Sequence, residues 1–259
     1  MKITILADNK VIAPRPLRAE WGFSALIEKK EVLMFDVGLG SAFYNLMILQ
    51  KPFPDKLILS HGHYDHTTAL YPFPKKLPLY AHPDIFLPRF FEGRFIGLPF
   101  QKELIMNNFD YVEQKEPMEV SKGIWAIGEI PREFETATLK DSFAIRDGKK
   151  EKDEIRDDQS IVIKTDNGLV LLLGCCHSGL RNTVKWAEEV VGDEVRFIIG
   201  GTHLIAYEEN KILEILKSLN LELIAPTHCT GLKAEMLISK VMGEKYKTAG
   251  VGSEFDFKK

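Results

Sequence analysis

The sequence has 259 residues, 45% of them hydrophobic and 27% charged, with a formal net charge of -3. A chain of this length and apolar content can fill one large core or two tightly fused halves, which excludes disorder as its main state. The near balance of charge gives no global field for a nucleic-acid backbone, and no apolar run approaches the roughly 18 residues of a membrane span.

The N-terminal stretch from Met1 to Lys10 carries a single lysine before a very short apolar run and lacks the parts of a signal peptide, so the expected location is cytoplasmic. Ile3 to Ala7, Phe23 to Glu28 and Glu31 to Phe35 read as three strands in quick succession. Leu57 to Leu59 and Leu79 to Ala81 are shorter strand candidates, each leading into a histidine. Ser160 to Thr165 and Leu169 to Leu173 flank Asp166-Asn167-Gly168, and Asn-Gly between two β-rich runs predicts a hairpin whose turn positions need positive φ.

Ser178 is the expected cap of a helix in which Leu180, Val184, Ala187 and Val191 share a face. Val195 to Ile199 and Leu221 to Ala225 read as buried strands. Ile212, Ile215, Leu216 and Leu219 form a second helical stripe, and Leu232, Met236 and Val241 a third. Hairpins early and strand–helix alternation later in each half predict mixed sheets covered by helices. The segment from about 83 to 155 is the least regular.

The three cysteines, Cys175, Cys176 and Cys229, are odd in number, and two are adjacent, which argues against a disulfide framework. Each lies within two residues of a histidine, which points to metal chemistry. Scarce glutamine beside abundant lysine and glutamate is a composition found in thermophilic proteins.

Three of the seven histidines fall in Ser60-His61-Gly62-His63-Tyr64-Asp65-His66. The others are His82, His177 in Gly174-Cys175-Cys176-His177, His203 after Gly200-Gly201-Thr202, and His228 after Pro226-Thr227. Nearly all follow an apolar strand, and strand ends project side chains to one shared edge. Imidazoles at His61 and His63 can turn toward one cation, with Asp65 and His66 facing a second. Imidazole plus carboxylate suits Zn²⁺, with iron or manganese as alternatives.

The His61-x-His63-x-Asp65-His66 pattern resembles the signature of the metallo-β-lactamase superfamily, and the resemblance extends over essentially the whole chain. It implies an α/β (α+β) fold, a four-layer αββα sandwich with its site at one edge between the sheets. One domain over 1–259 is expected, with halves at about 1–82 and 156–259 and an insertion or lid at about 83–155. Asp36 is similar to the family's early aspartate, which supports the histidine ligands from behind, and His228 to the late histidine of the second metal.

The middle of the chain departs from the family pattern. Cys175 stands where the metal-bridging aspartate is expected, either as a ligand or as a small buried side chain, and His177 is expected to supply the missing imidazole. Cys176 reads as filler. Asp158 is either a substitute carboxylate or, with Asp157, an anchor of its loop. His203 is either a proton donor or a structural residue, and His82 reads as the residue leading a helix. Taken together, these motifs resemble the archaeal and bacterial metal-dependent hydrolase branch, some of whose archaeal members are associated with methanopterin biosynthesis.

The expected activity is metal-assisted hydrolysis of a small, phosphorylated or ester-type substrate with one or two divalent ions, zinc first. His61, His63 and His177 would hold one ion and Asp65, His66 and His228 the other, with Asp65 orienting the attacking hydroxide and His203 protonating the leaving group. A pterin-type transferase and a metal- or redox-binding module are the alternatives. For the transferase, Phe86, Phe90, Phe91, Phe95 and Phe100 with Arg89, Arg94 and Lys102 either clasp a flat phosphorylated ligand or pack their own core. A homodimer is the expected assembly if the chain self-associates.

Overall fold

The computed structural model describes residues 1–12 and 14–257. In chain order the first half forms β1 (Lys2–Ala7), β2 (Ser24–Glu28), β3 (Val32–Phe35), α1 (Ser41–Ile48), β4 (Lys56–Ile58), α2 (Tyr64–Thr67) and β5 (Pro78–Ala81). The middle adds β6 (Arg89–Phe91), β7 (Arg94–Phe95), α3 (Lys102–Asn108), β8 (Asp110–Glu113), β9 (Met118–Ser121), β10 (Ile124–Ala126), β11 (Phe143–Arg146) and β12 (Lys149–Lys152). The last part comprises β13 (Ser160–Thr165), β14 (Gly168–Leu173), α4 (Leu180–Val191), β15 (Val195–Gly201), α5 (Glu209–Lys217), β16 (Leu223–Thr227), α6 (Leu232–Met242) and β17 (Glu254–Asp256).

Two sheets dominate, in the orders β17-β1-β2-β3-β4-β5-β8 and β16-β15-β14-β13-β10-β9. Strict alternation along each strand sends one set of side chains to the facing sheet and the other to the helices. In β14, Val170 and Leu172 meet Ile3, Ile5, Ala25, Ile27, Leu33 and Phe35 of the opposite sheet. Leu169, Leu171 and Leu173 instead meet Leu180 and Ala187 of α4, Ile212, Ile215 and Leu216 of α5, and Ile238 of α6. Leu26, Met34 and Leu57 point away from the inter-sheet core onto Ala42 and Leu46 of α1 and Ile105 of α3. Three apolar cores therefore separate four layers, the αββα sandwich.

The segment between 83 and 155 does not stay apart from the sandwich. β8 lengthens the first sheet, and β9 with β10 lengthens the second. Only β6, β7, β11 and β12 make a separate small sheet, and its aromatics pack on one another: Phe90 lies 5.0 Å from Phe143 and 5.6 Å from Phe95, ring centre to ring centre. Phe86 packs on Tyr111. Four of the five clasp phenylalanines, Phe86, Phe90, Phe95 and Phe100, thus have ring partners within the protein, and Arg89 is fully buried rather than open to a ligand.

Other local expectations need correction. The β13–β14 turn residues are Asp166-Asn167, with Thr165 paired to Gly168, and only Gly168 of these takes a positive φ. The cap of α4 is Gly179 rather than Ser178, whose N–H is held by Asp158. In α6 the predicted stripe faces out: Leu232 and Met236 are exposed, and Ala234 and Ile238 supply the buried face. No helix among the described residues is long and apolar enough to cross a membrane.

Candidate metal centre

β1 is antiparallel to β2 and β2 to β3, while β3 is parallel to β4, so the C-terminal ends of β1, β3 and β4 reach one edge. β14, β15 and β16 are mutually parallel and end at the facing edge of the second sheet. Asp8, Asp36, Ser60-His61, Cys175, His203 and His228 follow those strand ends. The convergence of distant histidines is therefore a consequence of strand direction. The backbone pays locally: Asp36, Cys176, His203 and His228 all adopt left-handed conformations, with φ of 58°, 61°, 51° and 46°. Non-glycine residues at such φ are costly and cluster where function demands them.

Asp36 is the hub behind the imidazoles. Its carboxylate accepts the Ser60 N–H at 2.7 Å, the Ser60 hydroxyl at 2.7 Å and His66 Nδ1–H at 2.7 Å. With its own proton given to Asp36, Ser60 Oγ accepts from His61 Nδ1 at 2.8 Å. His177 Nδ1 donates to the Ala137 carbonyl at 2.9 Å, and His228 Nδ1 to Asn9 Oδ1 at 3.2 Å. The bonds of His61, His177 and His228 each fix one tautomer and leave Nε2 as a lone pair, and Asp36 does the same for His66 once that ring is neutral.

Those lone pairs face each other. His61 Nε2 is 2.9 Å from His63 Nδ1, and His66 Nε2 is 3.2 Å from His228 Nε2 and 3.2 Å from Cys175 Sγ. Asp65 Oδ2 lies 3.3 Å from His228 Nε2 and 3.9 Å from His66 Nε2. His63 Nε2 and His177 Nε2 are buried without any hydrogen-bond partner. Two donor triads have all their ligand atoms within 4.8 Å of one another, His61/Cys175/His177 and His66/Cys175/His228, and either could hold a metal ion. Cys175 belongs to both.

The electrostatics agree with the donor chemistry. Burial, reinforced by neighbouring imidazoles, holds His61 and His177 well below the usual histidine range; burial with Arg89 nearby brings His63 to about 3. These rings are neutral and available as ligands. Burial also works against charge on His66, yet Asp36 and Asp65 outweigh it and raise the imidazole to about 9. Asp65 is itself held below the carboxylate range, because His66 and His228 overcome its burial. The pocket therefore favours positive charge beside His66, a place that a cation can take from a proton. Orphaned nitrogens, anchored tautomers and two carboxylates fit divalent metal ions.

Asp157 and Asp158 hold the surrounding loops. Asp157 accepts the Gly62 N–H at 2.8 Å and both terminal nitrogens of Arg89 at 2.8 and 2.6 Å, and Arg89 Nε faces Asp153 at 3.1 Å. Asp158 accepts the Ser178 N–H at 2.7 Å, and its second oxygen is buried and unpartnered. Gly174 has no room for a side chain, since a Cβ there would collide with Ser60 Oγ. His82 stands outside the cluster, accepting the Asp84 N–H and meeting Glu129 at 2.8 Å. Cys176 turns away toward Thr183.

Several contributors were not singled out from sequence. Asp8 accepts the His228 N–H at 2.6 Å, and Asn9 grips the same residue. Arg89 and Asp153 join Asp157 in the buried ion cluster. A strand-end aspartate at position 8, matching Asp36 after β3, was the available signal for the first. The ion cluster had none.

This fold and edge site define a family. The chain belongs to the metallo-β-lactamase superfamily, whose family model matches residues 22–135. An uncharacterised protein of Methanocaldococcus jannaschii is 35% identical over 260 residues, covering 96% of this chain and 98% of that protein. A second protein of that organism, 7,8-dihydropterin-6-methyl-4-(β-D-ribofuranosyl)-aminobenzene-5′-phosphate synthase, is 28% identical over 284 residues, covering 99% and 97%. A crystal structure of a metal-dependent hydrolase of the β-lactamase superfamily matches with a TM-score of 0.90 at 25% identity, covering 99% of this chain and 98% of that one.

Proposed function

We propose that the chain is a metal-dependent hydrolase acting on a small phosphorylated or ester-type substrate. The observation that carries this is the set of bare, buried imidazole nitrogens converging from separate strands, each with its opposite nitrogen anchored. His61, His63 and His177 would hold one divalent ion, and Asp65, His66 and His228 the other. Cys175, common to both donor triads, would lie between them. Zinc suits this set best, with iron or manganese as alternatives. A bound divalent ion lowers the pKa of water to about 7 and stabilises charge developing on a carbonyl or phosphoryl oxygen.

The chain's own residues complete the chemistry. Asp65, an acceptor at the edge of the cluster, orients the attacking water. His203, 4.4 Å from His177 ring to ring, delivers a proton to the leaving group. Asp36 and Asp158 keep the ligand-bearing loops in place. The test is a panel of phosphodiesters, phosphomonoesters, lactones and thioesters, run with metal-loaded and chelator-stripped protein. Turnover that needs metal and falls at least 100-fold in Asp65→Asn supports the reading; turnover indifferent to both overturns it.

A second reading is favoured by one comparison, the relative named as a pterin-related synthase. In it a metal held by the same residues would activate the phosphorylated leaving group of a pterin diphosphate, which departs as diphosphate while the pterin passes to an aminobenzene acceptor. Product analysis with a pterin diphosphate, with and without that acceptor, separates the two. A condensed product supports transfer, and its absence with every metal removes it.

A further inference from the structure

Cys229 takes no part in the centre described above, yet it is 3% exposed and carries a free thiol beside it. Its Sγ, the Cys175 Sγ and a ring nitrogen of His203 all lie within 4.8 Å of one another. The arrangement is built rather than incidental. Thr202, before His203, is tied to Thr230, after Cys229, by its N–H at 3.1 Å and its hydroxyl at 3.0 Å. Gly201 leaves the room that the sulfur needs, since a Cβ there would collide with Cys229 Sγ and the Gly174 carbonyl. His203 is held in the left-handed region, and its Nδ1 is buried without a hydrogen-bond partner.

We propose that Cys175, His203 and Cys229 form a further cation site, selective for a thiophilic divalent ion, that shares the Cys175 sulfur with the histidine centre. Two sulfurs and one imidazole are a soft donor set, unlike the imidazole–carboxylate set beside it. Three such ligands hold zinc while leaving its fourth position open. With metal–sulfur bonds of about 2.3 Å, the two sulfurs of a tetrahedral site stand about 3.8 Å apart, so small adjustments complete it. An ion bound there occupies His203 and draws on Cys175. If the hydrolase reading holds, excess thiophilic metal therefore inhibits by removing the proton donor. Binding itself does not depend on that reading.

The test is anaerobic titration with Cd²⁺, reading the ultraviolet sulfur-to-cadmium absorption and the equivalents retained after desalting. Wild-type protein is expected to show absorption from two sulfurs. Cys229→Ser should lose about half of it together with one equivalent, and His203→Gln should bind that equivalent tenfold or more weakly. The equivalents on the histidine centre should remain in both, and their loss in His177→Ala reports on that centre separately. A folded Cys229→Ser variant that titrates like wild type overturns the proposal. Should that variant unfold, ¹¹³Cd resonances of wild-type protein decide: a signal far downfield, as two sulfurs give, supports the site, and none beyond the one-sulfur range contradicts it.

Discussion

Arg89 offers a quantitative test of how the site is supported. Its guanidinium, Asp153 and Asp157 are each no more than 3% exposed, and Arg89 is the positive partner of both carboxylates. Arg89→Met keeps much of the side-chain volume but leaves two buried carboxylates without a countercharge. Breaking a buried ion cluster this way costs about 3–5 kcal/mol, which raises the unfolding constant by roughly two to three and a half orders of magnitude. The damage reaches the metal centre, because Asp157 also holds the Gly62 N–H inside the histidine loop. Metal affinity should fall about 10- to 100-fold. Urea unfolding followed by tryptophan fluorescence measures the first effect, and competition with a chelating dye the second. The triple variant Arg89→Met, Asp153→Asn, Asp157→Asn removes the stranded charges and should recover most of the stability. A single variant costing less than about 1 kcal/mol, or a triple variant no better than the single one, would refute the reasoning.

Asp36→Asn replaces an acceptor of three hydrogen bonds with a group that must present an N–H to one of its donors, so metal affinity at His66 should drop about 10- to 100-fold by isothermal titration. Cys176→Ala should leave metal content unchanged and cost about 1 kcal/mol in thermal unfolding, since its sulfur packs toward Thr183 and away from the centre. Arg146 holds both Asp84 oxygens, at 3.0 and 2.6 Å; burial raises that carboxyl, but these bonds bring it below its usual 3.8. The resulting stability is present above the unfolded-state value and is lost as pH falls through the lower folded one. Arg146→Met should therefore differ from wild type by about 1 kcal/mol or less at neutral pH and converge with it at strongly acid pH.

The strands β1 to β5 and β13 to β16 were legible because they are short apolar runs bounded by turns, as in Leu169 to Leu173, and burial on both faces demands such runs. The strands β6 to β12 were not: Lys149–Lys152 is wholly exposed and Arg94–Phe95 is only two residues long, so neither carries an alternating signal. The stripe assigned to α6 failed because Leu232 and Met236 lie on the solvent side, Leu232 lining a pocket with Ile205, Trp21 and His228. The histidine clusters stood out because imidazoles at strand ends are rare without a task. Arg89 was opaque, since an arginine amid phenylalanines reads as a surface residue until its two aspartates, far along the chain, are seen folded onto it.

The central claim is that this centre holds metal through histidines from both sheets. Elemental mass spectrometry on protein purified without chelator or added metal tests it directly, alongside His61→Ala and His228→Ala. The account predicts about two equivalents of zinc, iron or manganese in the wild type and a loss of roughly one in each variant. A wild-type chain without metal, or variants that keep the full complement, would contradict it.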